Sequence, residues 1–239
     1  MSHAKTLVIL PALNEAGNIA KTVKQICSHV PHADVLVIND GSVDATGAAA
    51  AAAGAIVLHM PYNVGIGAAV QTGFKYAQRN GYHCVVRNDG DGQHSAADIG
   101  RLLQTLQTAD VDVVIGSRFL GSGDYKTPLL RLLGIRMLVL LLKLVTKQRV
   151  TDPTSGFAAF NQRAIHLFAQ AYPHDYPEPE AIVLLHKSNL QMCEIPVTFL
   201  AREHGESQFT RPTRSLYYMI KVTLAILINV LRRAPLADR

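Results

Sequence analysis

Tryptophan is absent from the 239-residue chain, and its three cysteines, Cys27, Cys84 and Cys193, are odd in number with no CxxC spacing. That excludes a disulfide framework or a cysteine-based zinc site and leaves reduced thiols whose role is buried packing. Aromatic residues make up only 6 % of the chain, so no stacking platform for nucleic acid is visible. The opening MSHAKTLVIL lacks the flanks of a secretory signal and runs straight into a strand-like segment, so the expected compartment is the cytoplasm. Charged residues are scarce at 17 %, against about 25 % in an average soluble domain. Hydrophobic residues reach 49 %, which excludes a disordered chain. Mean hydropathy is +0.15, far below a multi-span membrane protein. Repeats and linkers rich in Pro, Gly or Ser are missing too.

The net charge of +5 is unevenly placed. Residues 1–112 carry seven Lys/Arg against nine Asp/Glu, net −2; residues 113–239 carry sixteen against nine, net +7. A basic second half points to an anionic partner: nucleic acid, lipid headgroups or substrate phosphates.

Short β-branched runs alternate with helical patterns. Thr6–Leu10, Val35–Ile38, Ile56–Leu58, Cys84–Val86 and Val113–Ile115 predict buried strands. Gly17–Val30, Val43–Ala53, Gly65–Asn80 (with Gly81 as C-cap) and Ala96–Thr108 predict helices between them. Such alternation specifies an α/β fold with a parallel sheet and right-handed crossovers, whose ligands bind at the carboxyl ends of the strands. Polar strings follow four strands: Pro11-Ala12-Leu13-Asn14-Glu15, Asn39-Asp40-Gly41-Ser42, Asn88 to His94, and Gly116-Ser117-Arg118. Four of them at one sheet edge mark a binding site in preference to routine helix caps.

Asp89, Asp91 and Gln93 alternate with glycines. On an extended loop their oxygens share one side, and two carboxylates so close repel unless a cation lies between them. Oxygen-only donors suit Mg²⁺ or Mn²⁺ with room left for substrate phosphates. A calcium loop would need a glutamate at its twelfth position, where Gly100 stands. Gly90 and Gly92 would let the backbone approach a bulky ligand. His94, His174 and His204 lack zinc-ligand spacing and read as solvent-facing or acceptor-site histidines. Gly65-Ile66-Gly67 reads as a helix start packed close to a ligand rather than as a dinucleotide fingerprint.

The ordered series PALNE, VINDGSVDAT, NVGIGAAVQTGF, DGDGQH, IGSRF, DPTSGF and EIPVTFLAREHGES resembles glycosyltransferase family 2 over about residues 5–210, most of all the dolichol-phosphate mannose synthase type and its bacterial polyprenyl-phosphate relatives. The resemblance implies a GT-A fold, Rossmann-like with a mostly parallel sheet, a nucleotide-diphosphate-sugar donor (UDP or GDP), a divalent metal and inversion at the anomeric carbon. It places Pro11, Ala12, Asn14 and Glu15 at the first nucleotide-binding strand end and Asp40 near the base, with Asp89 and Gly90 beside the donor. Asp89, Asp91 and Gln93 match the metal motif. Arg118, Arg131, Arg202 and Ser207 fall around the acceptor phosphate and donor diphosphate. Leu13 stands where a Tyr is usual, Asn39 where an Asp is, and Gln208 where a Lys often follows Gly-Glu-Ser.

Sugar transfer must stabilise the charge growing on the leaving nucleotide diphosphate. A metal on Asp91 and Gln93 with Asp89 close by would act as a Lewis acid, and Arg118 and Arg202 would add forked contacts to phosphate. A hydroxyl acceptor also requires a base, whereas a lipid phosphate is already ionised. Glu178 and Glu180 sit where the family often has an acid near the acceptor, and they could equally cap a helix over Ala181–Asn189. Asp152 could be functional or a turn residue.

The apolar surplus concentrates in two segments. Leu129–Val145 carries Arg136 and Lys143, with Lys147 just beyond, on one stripe. Leu216–Leu231 would reach about 24 Å as a helix, short of the ~30 Å hydrocarbon core. Arg214, Tyr218, Lys221, Ala225, Asn229 and Arg232 line one of its faces, the profile of an interfacial helix on an anionic membrane, with a helix packed on protein as the alternative. The expected protein is therefore a catalytic domain over 1–208 and a C-terminal amphipathic helix within 209–239. It would transfer a sugar to a polyprenyl phosphate at the cytoplasmic membrane face. Transfer to a sugar hydroxyl in surface-polysaccharide or glycolipid assembly and a non-catalytic sugar-nucleotide-binding subunit are the alternatives, and a homo-oligomer is a further candidate partner. Nucleic acid fits the basic half in sign only.

Overall fold

The computed structural model describes residues 4–121, 129–200 and 221–228, with 129–131 as backbone alone. The elements run β1 (Thr6–Ala12), α1 (Ile19–His29), β2 (Ala33–Asn39), α2 (Thr46–Ala52), β3 (Ile56–His59), α3 (Ile66–Arg79) and β4 (Cys84–Arg87). They continue with α4 (Ala97–Thr108), β5 (Val113–Ser117), α5 (Leu129–Thr146), β6 (Ala158–Phe160), α6 (Gln162–Gln170), α7 (Pro177–Lys187) and β7 (Met192–Pro196). Residues 221–228 are also helical. The boundary expected at residue 208 lies outside the described residues, as does the rest of the expected C-terminal helix.

The strands form one sheet in the order β3-β2-β1-β4-β6-β5-β7. The chain runs outward from β1 through β2 to β3, then returns to pair β4 with the other side of β1, all in parallel. The order therefore reverses at β1, and the carboxyl ends of β1 and β4 open a crevice there. Alternate residues of β1 feed two cores. Val8 and Leu10 meet Ile19, Val23, Ile26, Ile99 and Leu102 of α1 and α4 on one face. Leu7 and Ile9 meet Val70 and Phe74 of α3 on the other, continuous with α5, α6 and α7. A strand covered on both faces must be apolar throughout, which is why the inner strands are unbroken apolar runs.

Four features differ from the sequence expectation. Strand β6 is antiparallel to both its neighbours, β4 and β5. Strand β3 is half-exposed, with Ile56 38 % accessible, because it closes the sheet at one end. Cys84 is buried, but Cys27 and Cys193 are only half-buried. Helix α7 starts at Pro177 rather than near Ala181; proline at the first helical position forgoes an N–H that has no partner there anyway.

Helix α3 begins after Gly65, at φ +88°. A Cβ on Gly67 would lie 2.4 Å from the His174 and Pro173 backbone, so this glycine serves close packing against the segment after α6 rather than a ligand. Phe74, fully buried, has its ring 5.0 Å from Phe160, 5.3 Å from Phe168 and 5.4 Å from Tyr172. Phe74→Ala is expected to cost about 3–5 kcal/mol, read from urea denaturation, because it removes the hub of that aromatic cluster.

Candidate active site

The loops after β1 and β2 are laced together by side chains. Asn14, held at φ +56°, donates its N–H to Ser42 Oγ (2.9 Å) and accepts at Oδ1 from the Val43 N–H (3.0 Å). The Glu15 N–H donates to Thr46 Oγ1 (2.8 Å), the Ala16 N–H to Asp44, and Asn18 Nδ2 to Glu15 Oε2 (2.8 Å). Thr46 also bonds Asp44, which holds that carboxyl below its ordinary range and starts α2 at Thr46 rather than Val43. Asp40 is buried and accepts from Val64 N–H (2.8 Å) and Gly65 N–H (3.1 Å), so it clamps the start of α3.

Gly90 fits against the end of β1, where an added Cβ would meet Pro11 O at 3.2 Å and Ala12 Cβ at 3.3 Å. Its small size thus joins the β4 loop to Pro11 and Ala12. The loop is also not extended as the alternation of residues implied: it turns at Gly92 (φ +73°), and Asp91 Oδ1 accepts the Gln93 N–H at 3.0 Å. The incoming chain after β7 covers it, with Leu200 N–H donating to Gln93 O (2.7 Å), His94 bridging to Phe199, and Thr198 N–H donating to Asp98 (2.7 Å).

His94 is buried, not solvent-facing. Its ring stacks on Phe157 at 4.8 Å, and its Nε2 lies 3.3 Å from Asp89 Oδ2. The Arg87 guanidinium lies 3.8 Å from Asp89 Oδ1. Burial works to raise the Asp89 carboxyl, but the His94 hydrogen bond and the charges of Arg87, His94 and Arg118 hold it well below the usual carboxylate range. Asp89, Asp91 and Gln93 supply only oxygen donors, two of them carboxylates. That set fits a hard divalent cation completed by substrate phosphates. Among the described residues no group of three or more His, Cys, Asp or Glu side chains stands together as a metal cage.

Arg118 is fixed at the end of β5. Its Nε and Nη2 donate to Asp152 at 2.6 and 2.7 Å, Nη2 also to Thr154 Oγ1 at 2.7 Å, and its backbone N–H to Asp152 Oδ2 at 3.1 Å. Phe119 and Phe199 stand 5.7 and 5.3 Å from the guanidinium. Asp152 is itself 1 % exposed, and Glu194 of β7 accepts from the Thr151 and Asp152 N–H groups at 2.7 and 2.9 Å. Asp152 is thus a buried counter-charge, and the bulk of the Arg118 fork is turned toward it. Burial pushes the Glu194 carboxyl up, against the two N–H groups it accepts.

Glu178 accepts from Arg87 Nη2 at 2.6 Å. Glu180 Oε1 accepts the Tyr176 N–H at 3.2 Å, so it caps α7 from within the first turn. The side chain of Arg131 and the whole of Arg202 and Ser207 lie outside the described residues. Arg87, Tyr172 and Glu194 were not foreseen. The one available signal was Arg87 itself, a charge ending the apolar run Cys84-Val85-Val86.

Residues 7–168 match the model of glycosyl transferase family 2. The chain belongs to that family. It is a glycosyltransferase, 32 % identical to undecaprenyl-phosphate mannosyltransferase of Micrococcus luteus over 86 % of this chain and 88 % of that protein. It is 29 % identical to polyprenol monophosphomannose synthase of Mycolicibacterium smegmatis, over 86 % and 81 % of the two chains. A crystal structure of glucosyl-3-phosphoglycerate synthase from Mycobacterium tuberculosis, solved with Mn²⁺, uridine diphosphate and glucosyl-3-phosphoglycerate, superposes with a TM-score of 0.72. That superposition covers 98 % of this chain and 82 % of the other at 22 % identity, and bears on the GT-A fold alone.

In this glycosyltransferase the depressed Asp89 carboxyl gives a pH signature. Its pKa lies below the 3.8 of an unperturbed group, so its contribution to stability is complete above about pH 5 and is lost as pH falls through the folded-state value. The stability advantage of the wild type over Asp89→Asn, measured by urea denaturation, is expected to be full at pH 6 and to shrink steadily below about pH 4.

Proposed function

We propose that the chain is an inverting, divalent-metal-dependent glycosyltransferase that moves a sugar from a nucleotide-diphosphate donor to a polyprenyl phosphate at the cytoplasmic face of a membrane. The observation that carries the acceptor assignment is the state of the acidic residues around the cleft. Asp152 is committed to Arg118 and Glu178 to Arg87, while Glu180 holds the head of α7. A hydroxyl acceptor would need one of these carboxylates as a base; a phosphate monoester, already ionised at neutral pH, needs none. The relatives named for undecaprenyl-phosphate and polyprenol-phosphate mannosyl transfer support the same acceptor.

Asp91 and Gln93, with Asp89 beside them, would hold Mg²⁺ or Mn²⁺; when bound, it supplies Lewis-acid stabilisation to the departing diphosphate. Pro11, Ala12 and Gly90 bring the β1 and β4 ends into contact, and the laced Asn14 and Glu15 loop shapes the adjoining wall for the nucleotide. Arg118 is held at the β5 end with its charge balanced by Asp152, and phosphate oxygens arriving there would share its guanidinium with that carboxylate. Asp91→Asn is expected to lower transfer from UDP- or GDP-sugars to undecaprenyl phosphate by at least about 100-fold and to remove the Mn²⁺ dependence of donor binding. Unchanged turnover without Mn²⁺ in the wild type would overturn the metal role. Glu180→Gln is expected to leave transfer within about threefold, whereas a loss above about 100-fold would move the acceptor to a hydroxyl.

The membrane assignment rests on an apolar face exposed among the described residues. Helix α5 buries Ile135, Leu138 and Leu142 but exposes Leu133 (67 %), Leu140 (58 %) and Leu144 (71 %), with Arg136 and Lys143 exposed beside them. Val222 and Ile226 join the same core, and Leu224, Leu227 and Ile228 face outward with Lys221. Among the described residues no helix is long and apolar enough to cross a membrane. Leucines flanked by cations suit insertion into an anionic headgroup layer. Leu140→Glu with Leu144→Glu is expected to weaken binding to phosphatidylglycerol-containing vesicles by about tenfold or more in a flotation assay. The circular dichroism spectrum should stay unchanged.

A further inference from the structure

Arg87 is a charge placed where the fold would accept an apolar side chain. It closes β4, pairs across the sheet with Ile9 and Ala158, and is 3 % exposed. Its guanidinium meets three groups from three parts of the chain. Nη1 donates to Tyr172 Oη at 3.0 Å, Nη2 donates to Glu178 Oε1 at 2.6 Å, and Nη2 stands 3.8 Å from Asp89 Oδ1. A fourth segment closes over the pair: a Cβ on Gly156 would lie 2.9 Å from Arg87 Nη2 and 3.2 Å from Asp89 Oδ1. Arg87 also lines a pocket of about 30 Å³ whose other walls are mostly apolar, among them Phe160, Phe168 and Ile182.

We propose that Arg87 is a positioning residue whose forked guanidinium ties Asp89 on the β4 loop to Tyr172 and Glu178 on the α6–α7 wall, so that the two sides of the cleft are held in one fixed relation. The fork is the reason for arginine. A planar group with donors on two ends can serve a phenol and a carboxylate while its charge still reaches a second carboxylate, which the single ammonium of lysine cannot do in the same geometry. Asp89 faces the Arg87 charge 3.8 Å from one oxygen and His94 Nε2 3.3 Å from the other, so its carboxylate is flanked on both sides. The link to Asp89 as a neighbour of the bound cation rests on the metal role proposed above; the link between the two walls does not.

The test separates these two. Arg87→Met alone would leave the Glu178 carboxylate buried without a counter-charge, so the decisive variant is Arg87→Met with Glu178→Gln, which removes both charges of the pair. Its thermal unfolding is expected to lie near that of the wild type. Amide hydrogen exchange of the ligand-free protein is expected to run about tenfold faster over both 88–94 and 181–184. Mn²⁺ affinity in the presence of UDP or GDP is expected to fall about tenfold, as for other residues that orient a ligand carboxylate. Wild-type protection at 88–94 in the double variant would overturn the proposal, since Arg87 would then serve α7 alone. Absence of Mn²⁺ binding by the wild type would overturn the metal role, with the exchange contrast still deciding for or against Arg87. Arg87→Lys keeps the charge and loses the fork. It is expected to give the same exchange contrast at smaller amplitude, and it replaces the double variant if that chain does not fold.

Discussion

Two guanidinium groups are buried at the carboxyl edge of the sheet, and the shape of the cleft follows from the need to neutralise them. Arg118 at the end of β5 takes its counter-charge from Asp152, and Arg87 at the end of β4 takes its own from Glu178. Leaving either unpaired would cost about 3–5 kcal/mol, a large part of the stability of an ordinary domain. Each partner lies far along the chain, so each pair fixes a long-range relation. Asp152 is positioned in turn by Glu194, whose carboxylate accepts two backbone N–H groups beside it. In this way β7, the loop before β6 and the end of β5 become one unit, and β4 becomes rigidly joined to α7.

The antiparallel strand β6 is what makes the Arg118–Asp152 pair reachable. In a wholly parallel sheet every loop that enters a strand does so at the amino edge, away from the cleft. Reversing one strand brings its entry loop to the carboxyl edge of its neighbours. Because β6 lies between β4 and β5, residues 151–157 arrive between Asp89 and Arg118. Ser155 Oγ donates to Gly116 O at 2.6 Å, Ser117 Oγ lies 2.7 Å from Thr151 Oγ1, and Gly156 fits against Arg87. The string Asp152-Pro153-Thr154-Ser155-Gly156-Phe157 is therefore an instrument for closing the site from the side that a simple alternation of strands and helices leaves open.

This division explains what could be read from the sequence. The strands β1, β2, β4 and β5 declare themselves because burial on both faces demands unbroken apolar runs, and the helices between them carry a 3.6-residue period. Strand β6 has three residues, and β7 includes a glutamate that serves the loop beside it, so neither carries a pattern long enough to register. Within the candidate site, the string Asp89, Asp91 and Gln93 stood out because its oxygen-bearing side chains lie together in sequence. Residues whose role is a partner far away did not. Asp152 and Glu178 read equally as turn, cap or base until Arg118 and Arg87 are placed beside them. Asp40, expected near a nucleotide base, also holds the loop before α3, because Val64 and Gly65 present two N–H groups to its oxygens, a role that sequence reasoning did not offer.

The pinning of Asp89 also bears on how a donor would be recognised. With one oxygen facing Arg87 and the other His94, Asp89 has less of its charge to offer a cation than an unpaired carboxylate would. On the proposed function, the hard donors that remain are Asp91 and Gln93, too few to satisfy the octahedral preference of Mg²⁺ or Mn²⁺. Oxygens of a nucleotide diphosphate complete such a set, so metal affinity and donor affinity would rise together and fall together once the sugar has left. The same two neighbours that weaken Asp89 as a ligand favour its ionised form. On that reading its contribution would be electrostatic: a negative charge already fixed beside the site where Asp91 and Gln93 would hold a cation, with little reorganisation of the protein left to make.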